Sequence, residues 1–162
     1  MELGGSLGPD GELAEKIEKL PEELDFVEFP IGEQERPMEE IDREAVKQVL
    51  DQKDFELVVH LPFRQRLVTD IDIFNDAVLD YHRELIKFSV EMGAEKFVVH
   101  ADMRDQDSES QELELPEQIR KLKQIGEENG AEVCFENIGH WNGIELFELG
   151  EMLEELDASM CF

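Results

Sequence analysis

Short apolar runs and longer amphipathic stretches alternate along the chain. The clearest apolar runs are "FELVVHLPF" from Phe55, "EKFVVHAD" from Glu95 and "AEVCFENIGHW" from Ala131. Continuous apolar runs of this length are typical of strands that are buried on both faces of a parallel sheet. The stretches between them carry apolar residues at helical spacing, so the pattern predicts a repeated strand–helix order.

Six strands and five helices are predicted from this pattern. The strands are expected in "ELGGSLG", over Asp25–Phe29, in "FELVVHL", "EKFVVHA" and "AEVCFEN", and at the start of "ASMCF". The helices are expected around Leu13–Leu20, after Pro37, from a cap at Asn75 to Gly93, from Pro116 to Gly130, and around Ile144, Phe147, Met152, Leu153 and Leu156. Strands and helices that alternate in this way build an α/β fold.

Four successive predicted strands end on polar residues. Glu28, His60, His100 and Glu136 follow one another at intervals of 32, 40 and 36 residues. In a (β/α) barrel the carboxyl ends of the strands share one rim, where active sites are built. An open doubly wound sheet is the alternative, but "GGSLG" is only a weak echo of the Gly-x-Gly-x-x-Gly loop expected after its first strand. We therefore predict a TIM-type barrel.

The chain is strongly acidic, with 15 Lys and Arg against 42 Asp and Glu and a net charge of −27. Because the acidic residues are interleaved with periodic apolar ones, a folded protein with an acidic surface is favoured over disorder. Such a surface resembles those of proteins from salt-loving microbes, in which salt screens the self-repulsion. A specific cationic partner is the alternative. Nucleic acid is not an expected partner, since phosphate binding needs clustered Lys and Arg.

The sequence also predicts where the protein is located, the state of its two cysteines and the role of one histidine. No run of about 18 apolar residues is present, so no membrane partner is expected. The N-terminal "MELGGSLGPDGEL" lacks the regions of a signal peptide, and we expect a cytoplasmic protein. Cys134 and Cys161 lie far apart and outside any Cys-x-x-Cys pair, so buried reduced thiols are expected. His82 falls on the apolar stripe of helix three and is expected to be a packed histidine.

Imidazole and carboxylate side chains at one rim indicate a metal site. His60, His100 and Glu136 offer the ligand types that suit zinc, manganese, iron or cobalt. A hydrogen-bonded structural role is the alternative for a single strand-end histidine such as His60. A carboxylate left unpaired at the end of an apolar strand would carry a large burial cost, which favours a partner for Glu136. We predict that the three side chains face one cavity and bind divalent metal weakly.

The runs "VVHLPF", "GAEKFVVHAD" and "AEVCFENIG" resemble the third, fourth and fifth strands of the xylose isomerase-like TIM barrels. This superfamily includes sugar isomerases, sugar epimerases and the endonuclease IV type of apurinic-site nuclease, and the resemblance runs from Leu3 to the end of the chain. It implies that Glu136 is a metal ligand. His60 and His100 match zinc ligands of the nuclease branch and more often touch substrate in the sugar branches. Two features depart from the family: "HAD" replaces the common "HPG", and the chain ends at "MCF", before the Asp-x-Gly-His motif that follows the sixth strand.

Several further side chains near the rim are candidates for substrate binding. Trp141 could stack on a sugar face, with His140 beside it, although both also suit an ordinary surface turn. Glu28 could bond a substrate hydroxyl or be a solvated carboxylate. Arg64 and Arg66 follow strand three and could meet a phosphate or carboxylate group.

The resemblance implies a divalent-metal-dependent isomerase or epimerase that acts on a sugar or sugar phosphate, with Glu136 as a catalytic proton-transfer group. The expected cofactor is zinc, manganese, magnesium or cobalt. A non-catalytic, truncated barrel fragment and an endonuclease IV-like nuclease are the alternatives. We expect residues 1–162 to form one barrel domain that is truncated at its C-terminus after five β-α units and the start of strand six. Its open edges would favour homo-oligomers.

Overall fold

The structure is a computed structural model that describes residues 2–8, 10–32, 37–62, 65–101, 109–137 and 144–161, with the backbone alone for 109–113. The strands are β1 Gly4–Ser6, β2 Phe26–Pro30, β3 Glu56–His60, β4 Ala94–His100, β5 Glu132–Glu136 and β6 Ser159–Cys161. The helices are α1 Leu13–Glu18, α2 Arg43–Lys53, α3 Asp72–Val90, α4 Glu109–Glu128 and α5 Leu146–Glu155, with a short 3-10 helix over Met38–Glu40. None of the helices in the described ranges is long and apolar enough to cross a membrane.

The six strands form one sheet in the order β1-β2-β3-β4-β5-β6, and every neighbouring pair is parallel. Chain order and spatial order are therefore the same, with an α-helix in the connection between each pair of neighbouring strands, as in the progression of a (β/α) barrel. The sheet is not closed, because β1 pairs only with β2 and β6 only with β5 within the described residues. The predicted α/β fold and its TIM-type barrel character are confirmed.

The two faces of the sheet differ sharply in burial. One face packs against the helices, and its side chains are almost completely inaccessible: Val27, Phe29, Leu57, Val59, Phe97, Val99, Val133 and Phe135. Full burial of each contributes roughly 1.5–3 kcal/mol. The alternate residues point to the other side, which we call the open face, and include Phe26, Glu28, Val58, His60, Val98, His100, Cys134 and Glu136. All of these except His100 are only half-buried, so polar groups on the open face remain accessible to solvent.

Asn75 was predicted to cap helix three, and this was wrong. The helix begins at Asp72, and Asn75 lies buried inside its first turns. Its Oδ1 accepts from the backbone N–H of Thr69 at 2.7 Å, and its Nδ2 donates to Glu114 Oε2 at 2.8 Å. The amide therefore joins the connection after β3 to α4, which is a tertiary role that a local capping pattern does not reveal.

Two further helix predictions were also wrong. Pro116 was expected to open helix four, but α4 begins at Glu109 and contains Pro116 in its interior. The preceding residues "ESQELEL" include strong helix formers, which extend the helix upstream of the proline. Phe147 was placed on the apolar stripe of helix five, yet it is 84% exposed, and Leu149 is the buried residue of that turn.

Candidate metal centre

Three side chains from three neighbouring strands converge at the carboxyl end of the sheet. Glu136 Oε2 lies 3.3 Å from His60 Nε2 and 3.1 Å from His100 Nε2. The two imidazole rings meet edge to face with centroids 4.9 Å apart. One ligand atom from each residue lies within 4.8 Å of the other two. We call these residues the His–His–Glu cluster.

Strand register explains why residues so far apart in sequence meet here. His100 on β4 is paired directly with Glu136 on β5, so their side chains emerge side by side on the open face. His60 on β3 is opposite Val98, two residues before His100, and therefore lies one layer lower in the sheet. The ring of His60 reaches across this offset to the carboxylate.

A hydrogen bond fixes the tautomer of His60. Its Nδ1 lies 2.7 Å from the carbonyl oxygen of Leu61. A carbonyl can only accept, so Nδ1 carries the proton and the neutral ring presents a lone pair at Nε2. That lone pair faces the carboxylate of Glu136, and the contact is favourable only when a proton or a metal ion lies between the two atoms. A backbone carbonyl that holds Nδ1–H is also the usual support for a metal-binding histidine.

The distances in the cluster are compatible with a shared metal ion. Charge-assisted N–H···O bonds are typically about 2.7–2.9 Å long. The separations of 3.3 and 3.1 Å are longer than that. Ligand atoms placed about 2.0–2.1 Å from a zinc ion in tetrahedral geometry lie about 3.3–3.4 Å apart. The two separations between imidazole nitrogens and the carboxylate are therefore close to the edge length of a metal coordination tetrahedron, and the third separation in the cluster is within 4.8 Å.

The cluster is open to solvent on one side. The side chain of Glu136 is 27% exposed, against 15% for His60 and 10% for His100. Three cavities in the described part of the chain lie elsewhere: one of about 470 Å³ where α4 meets β5 and β6, one of about 420 Å³ along α2, and one of about 360 Å³ between α1 and α2. A set of three protein ligands with an accessible side is the arrangement found in catalytic metal sites rather than structural ones.

Comparison with protein families gives a match over residues 17–162 to the model described as xylose isomerase-like TIM barrel. The chain belongs to this family. No curated protein matches this xylose isomerase-like chain in a sequence search. The resemblance that the strand-end motifs indicated is thereby confirmed for most of the chain.

Solved structures with the same fold include sugar epimerases. A D-psicose 3-epimerase determined in the presence of D-fructose superposes with a TM-score of 0.78 at 11% identity, covering 99% of this chain and 62% of that one. A 3-keto-D-glucoside 4-epimerase from E. coli in its apo form gives a TM-score of 0.76 at 16% identity, with coverages of 98% and 65%. A D-tagatose 3-epimerase-like protein gives 0.75 at 20% identity, with coverages of 96% and 61%. This xylose isomerase-like chain therefore spans about 60% of the length of these structures.

Of the other predicted site residues, the structure describes only Glu28 and Arg66. Glu28 lies on the open face, paired with Val58 on the neighbouring strand, one layer below His60. Arg64, Trp141 and His140 lie outside the described residues. Arg66 is exposed, after the end of β3.

His82, expected to be a packed histidine, is fully buried inside α3 and takes no part in the cluster. Neither of its ring nitrogens has a hydrogen-bond partner among the described residues. Burial lowers the pKa of His82 from 6.5 to about 4, so the ring is neutral at ordinary pH. This prediction is confirmed, and the effect on stability is taken up in the Discussion.

The cysteines are closer to the cluster than the sequence indicated. Cys134 and Cys161 were expected to be buried reduced thiols; both are reduced, but they are only half-buried and lie on the open face. The Cys161 thiol donates a hydrogen bond to the Cys134 sulfur, which lowers the pKa of Cys134 and raises that of Cys161. Cys161 is paired in register with Glu136. Two signals could have located the pair: Cys134 precedes Glu136 by two residues, and strand six was predicted to follow strand five.

Proposed function

We propose that the His–His–Glu cluster binds a divalent metal ion and that the barrel built from these strands is a metal-dependent isomerase or epimerase of a sugar or sugar phosphate. The convergence of two imidazole nitrogens on one carboxylate oxygen supports this proposal most directly. The epimerase folds of the similar solved structures support the substrate class. Zinc, manganese, magnesium and cobalt are the candidate ions, and the two imidazole ligands favour zinc, manganese or cobalt over magnesium.

The chemistry divides between the ion and the side chains around it. A bound divalent ion would act as a Lewis acid toward adjacent oxygens of the sugar. His60, held by the Leu61 carbonyl, fixes the direction of one ligand. Glu136 is the carboxylate of the cluster and is proposed to move a proton at the carbon next to the sugar carbonyl. Glu28 is proposed to bond a substrate hydroxyl from the neighbouring layer of the open face.

Two residues outside the described ranges complete the proposed substrate site. Arg64 comes four residues after the end of the third strand in the sequence and is proposed to bind a phosphate or carboxylate of the substrate. Trp141 follows the fifth strand and is proposed to stack on the sugar ring. Both assignments rest on their positions after strands whose carboxyl ends carry the cluster.

The scope of the proposal differs between binding and catalysis. Metal binding is proposed for this chain, which contains the whole cluster. Isomerase or epimerase activity is proposed for a closed barrel, because the chain spans about 60% of the length of the similar structures and its sheet is open. A non-catalytic role for the isolated chain is the competing proposal. A nuclease function receives less support, since a net charge of −27 repels the phosphate backbone.

Metal binding is tested by calorimetry with zinc, manganese and cobalt at neutral pH. The background should be the Cys134→Ser/Cys161→Ser double variant, so that thiols cannot contribute ligands. We expect one ion per chain, and affinity lost by at least about tenfold in Glu136→Gln, because even the loss of a group that only supports a ligand typically costs about 10–100-fold. Glu132→Gln is the matched control, because it removes the same charge from the same strand and should leave the affinity unchanged. Tight zinc binding that survives Glu136→Gln would contradict the ligand assignment.

Activity is tested separately from metal binding. The chain, loaded with metal, is incubated in heavy water with a panel of ketoses and ketose phosphates, and proton NMR follows deuterium incorporation beside the carbonyl. A parallel assay uses an oligonucleotide with one abasic site. Incorporation that depends on Glu136 supports the isomerase or epimerase. Cleavage of the abasic strand without deuterium incorporation into any sugar would instead support the nuclease function. Metal binding without either activity would support the non-catalytic role of the isolated chain.

A further inference from the structure

A cavity of about 290 Å³ lies between the first turns of α3 and the middle of α4, and none of its lining residues belongs to the His–His–Glu cluster. We call it the α3–α4 cavity. Four carboxylates against one ammonium group give its lining a net charge of −3. A cation is therefore the class of ligand that the cavity favours. Every lining residue is polar or charged: Asp72, Asn75, Asp76, Glu114, Glu117, Gln118 and Lys121.

One buried amide in this lining lacks a hydrogen-bond partner. Gln118 is only 4% exposed, and its Oε1 has no partner among the described residues. The neighbouring amide of Asn75 differs, because both of its polar atoms are hydrogen-bonded. A buried carbonyl oxygen that is left unpaired carries a desolvation cost. A cationic ligand with N–H donors would serve this oxygen as well as the carboxylates.

The spacing of the carboxylates distinguishes between kinds of cation. Among the described residues, the His–His–Glu cluster is the only group whose three ligand atoms lie within 4.8 Å of one another. The carboxylates of the α3–α4 cavity are therefore too widely spaced for three of them to coordinate one metal ion. A guanidinium group is larger and planar, and its five N–H donors reach acceptors that are farther apart. It is also less strongly hydrated than an ammonium group.

An exposed apolar residue at the edge of the cavity favours an arginine that belongs to a protein. Ile73 is 72% exposed, follows Asp72 directly and precedes Asp76 by three residues on α3. Its side chain can cover the aliphatic stem of an arginine, or an apolar residue beside that arginine. The net charge of −27 attracts a basic partner and repels a second copy of this chain. The N-terminal dipole of α3 opposes a cation with only about half an elementary charge, which the lining outweighs.

We propose that the α3–α4 cavity binds the guanidinium group of an arginine on a basic partner protein. The carboxylates of the lining hold the charge, Gln118 Oε1 accepts one N–H bond, and Ile73 packs against the stem. The proposal does not depend on metal binding or on sugar chemistry at the open face.

The test is proton–nitrogen NMR of the isotope-labelled chain during titration with four probes. These are acetyl-arginine amide, acetyl-lysine amide, calcium, and a short peptide in which one arginine is flanked by leucines. Potassium chloride is kept at the lowest concentration at which the chain stays folded, because salt screens exposed charges. We expect saturable shifts at the side-chain amide of Gln118 and in the first turns of α3. The arginine compound should bind more tightly than the lysine compound, and the peptide more tightly than either.

Paired variants separate the cavity from the general acidic surface. Asp72→Asn/Asp76→Asn should weaken binding of the peptide by at least about fivefold, the effect of losing two charged partners. Gln118→Met should remove the preference for arginine over lysine. Asp80→Asn/Glu84→Gln is the matched control, because it removes two exposed charges from α3 outside the cavity and should leave the affinity unchanged. Circular dichroism checks that each variant keeps the wild-type helix content.

Three results would overturn the proposal. The first is a set of shifts that do not saturate or that spread evenly over the acidic surface. The second is calcium or the lysine compound binding as tightly as the arginine compound. The third is a control variant that weakens binding as much as the cavity variant. If acetyl-arginine amide binds as tightly as the peptide, the protein source of the arginine is refuted.

Discussion

The buried imidazole of His82 should make stability depend on pH in a way that one substitution removes. Its folded-state pKa of about 4 lies below the ordinary value of 6.5, so between these values the unfolded chain binds more protons than the folded one. Stability therefore rises with pH through this window. The contribution of the neutral His82 ring to the free energy of unfolding is complete above pH 6.5, declines as the pH falls, and is fully lost below about pH 4.

The size of the effect follows from the shift. At about 1.4 kcal/mol per pKa unit, the difference between 6.5 and about 4 corresponds to roughly 3 kcal/mol over the whole window. Roughly 2 kcal/mol of this should already be lost at pH 5. The measurement can stop there, above the isoelectric point of about 4.2. Many surface carboxylates also titrate, but they are common to wild type and variant, so their effect cancels in the difference.

The assay is urea unfolding followed by circular dichroism, at intervals from pH 8 to pH 5 in molar potassium chloride. His82→Leu suits the apolar stripe that Leu79, Leu85 and Ile86 form on α3. His82→Gln keeps a polar side chain that does not titrate. We expect each variant to gain roughly 2 kcal/mol relative to wild type as the pH falls from 8 to 5. Differences that stay constant within about 0.5 kcal/mol would refute the reasoning, since they would show that the pKa of His82 is the same in the folded and unfolded chains.

Three further predictions follow from charge, hydrogen bonding and backbone geometry. The melting temperature should rise as potassium chloride is added to molar levels, because salt screens a net charge of −27; a flat or falling trend would rule out salt adaptation. Asn75→Leu should lower the free energy of unfolding by roughly 2–3 kcal/mol in urea titrations, because it leaves the groups around a buried amide unpaired, and a loss under about 0.5 kcal/mol would contradict this role. Gly32→Ala should cost at least about 1 kcal/mol, since Gly32 has φ +80° and an added Cβ would meet Leu85 side-chain carbons at 2.6 and 2.7 Å; an unchanged melting temperature would show that the loop relaxes freely.

The sheet was predictable because its strands are apolar on both faces. Strands three, four and five stand out as continuous apolar runs, and their order with the helices leaves few topologies. Helix starts were harder, because tertiary contacts override the capping signal of Asn75 and helix formers upstream of Pro116 extend α4 past the proline. Asn75 is engaged by Thr69 and Glu114 rather than by its own helix terminus.

The cluster was predictable in composition but not in geometry. Placing His60, His100 and Glu136 at strand ends followed from the sequence. The offset of His60 by one layer depends on a register shift between Leu57 and Val58, and no local sequence pattern predicts such a shift. The placement of the two cysteines on one face likewise depends on how β5 and β6 are paired. The acidic surface as a salt adaptation and the cytoplasmic location stay predictions.

Metal binding by the His–His–Glu cluster is the central claim, and anomalous diffraction from crystals grown or soaked with zinc tests it most directly. The account predicts one strong anomalous peak about 2.0–2.2 Å from His60 Nε2, His100 Nε2 and a Glu136 oxygen. That peak should be absent from crystals of Glu136→Gln and present in those of Glu132→Gln. A zinc peak bound only elsewhere, or a cluster that stays empty at saturating zinc with its side chains in place, would contradict the claim.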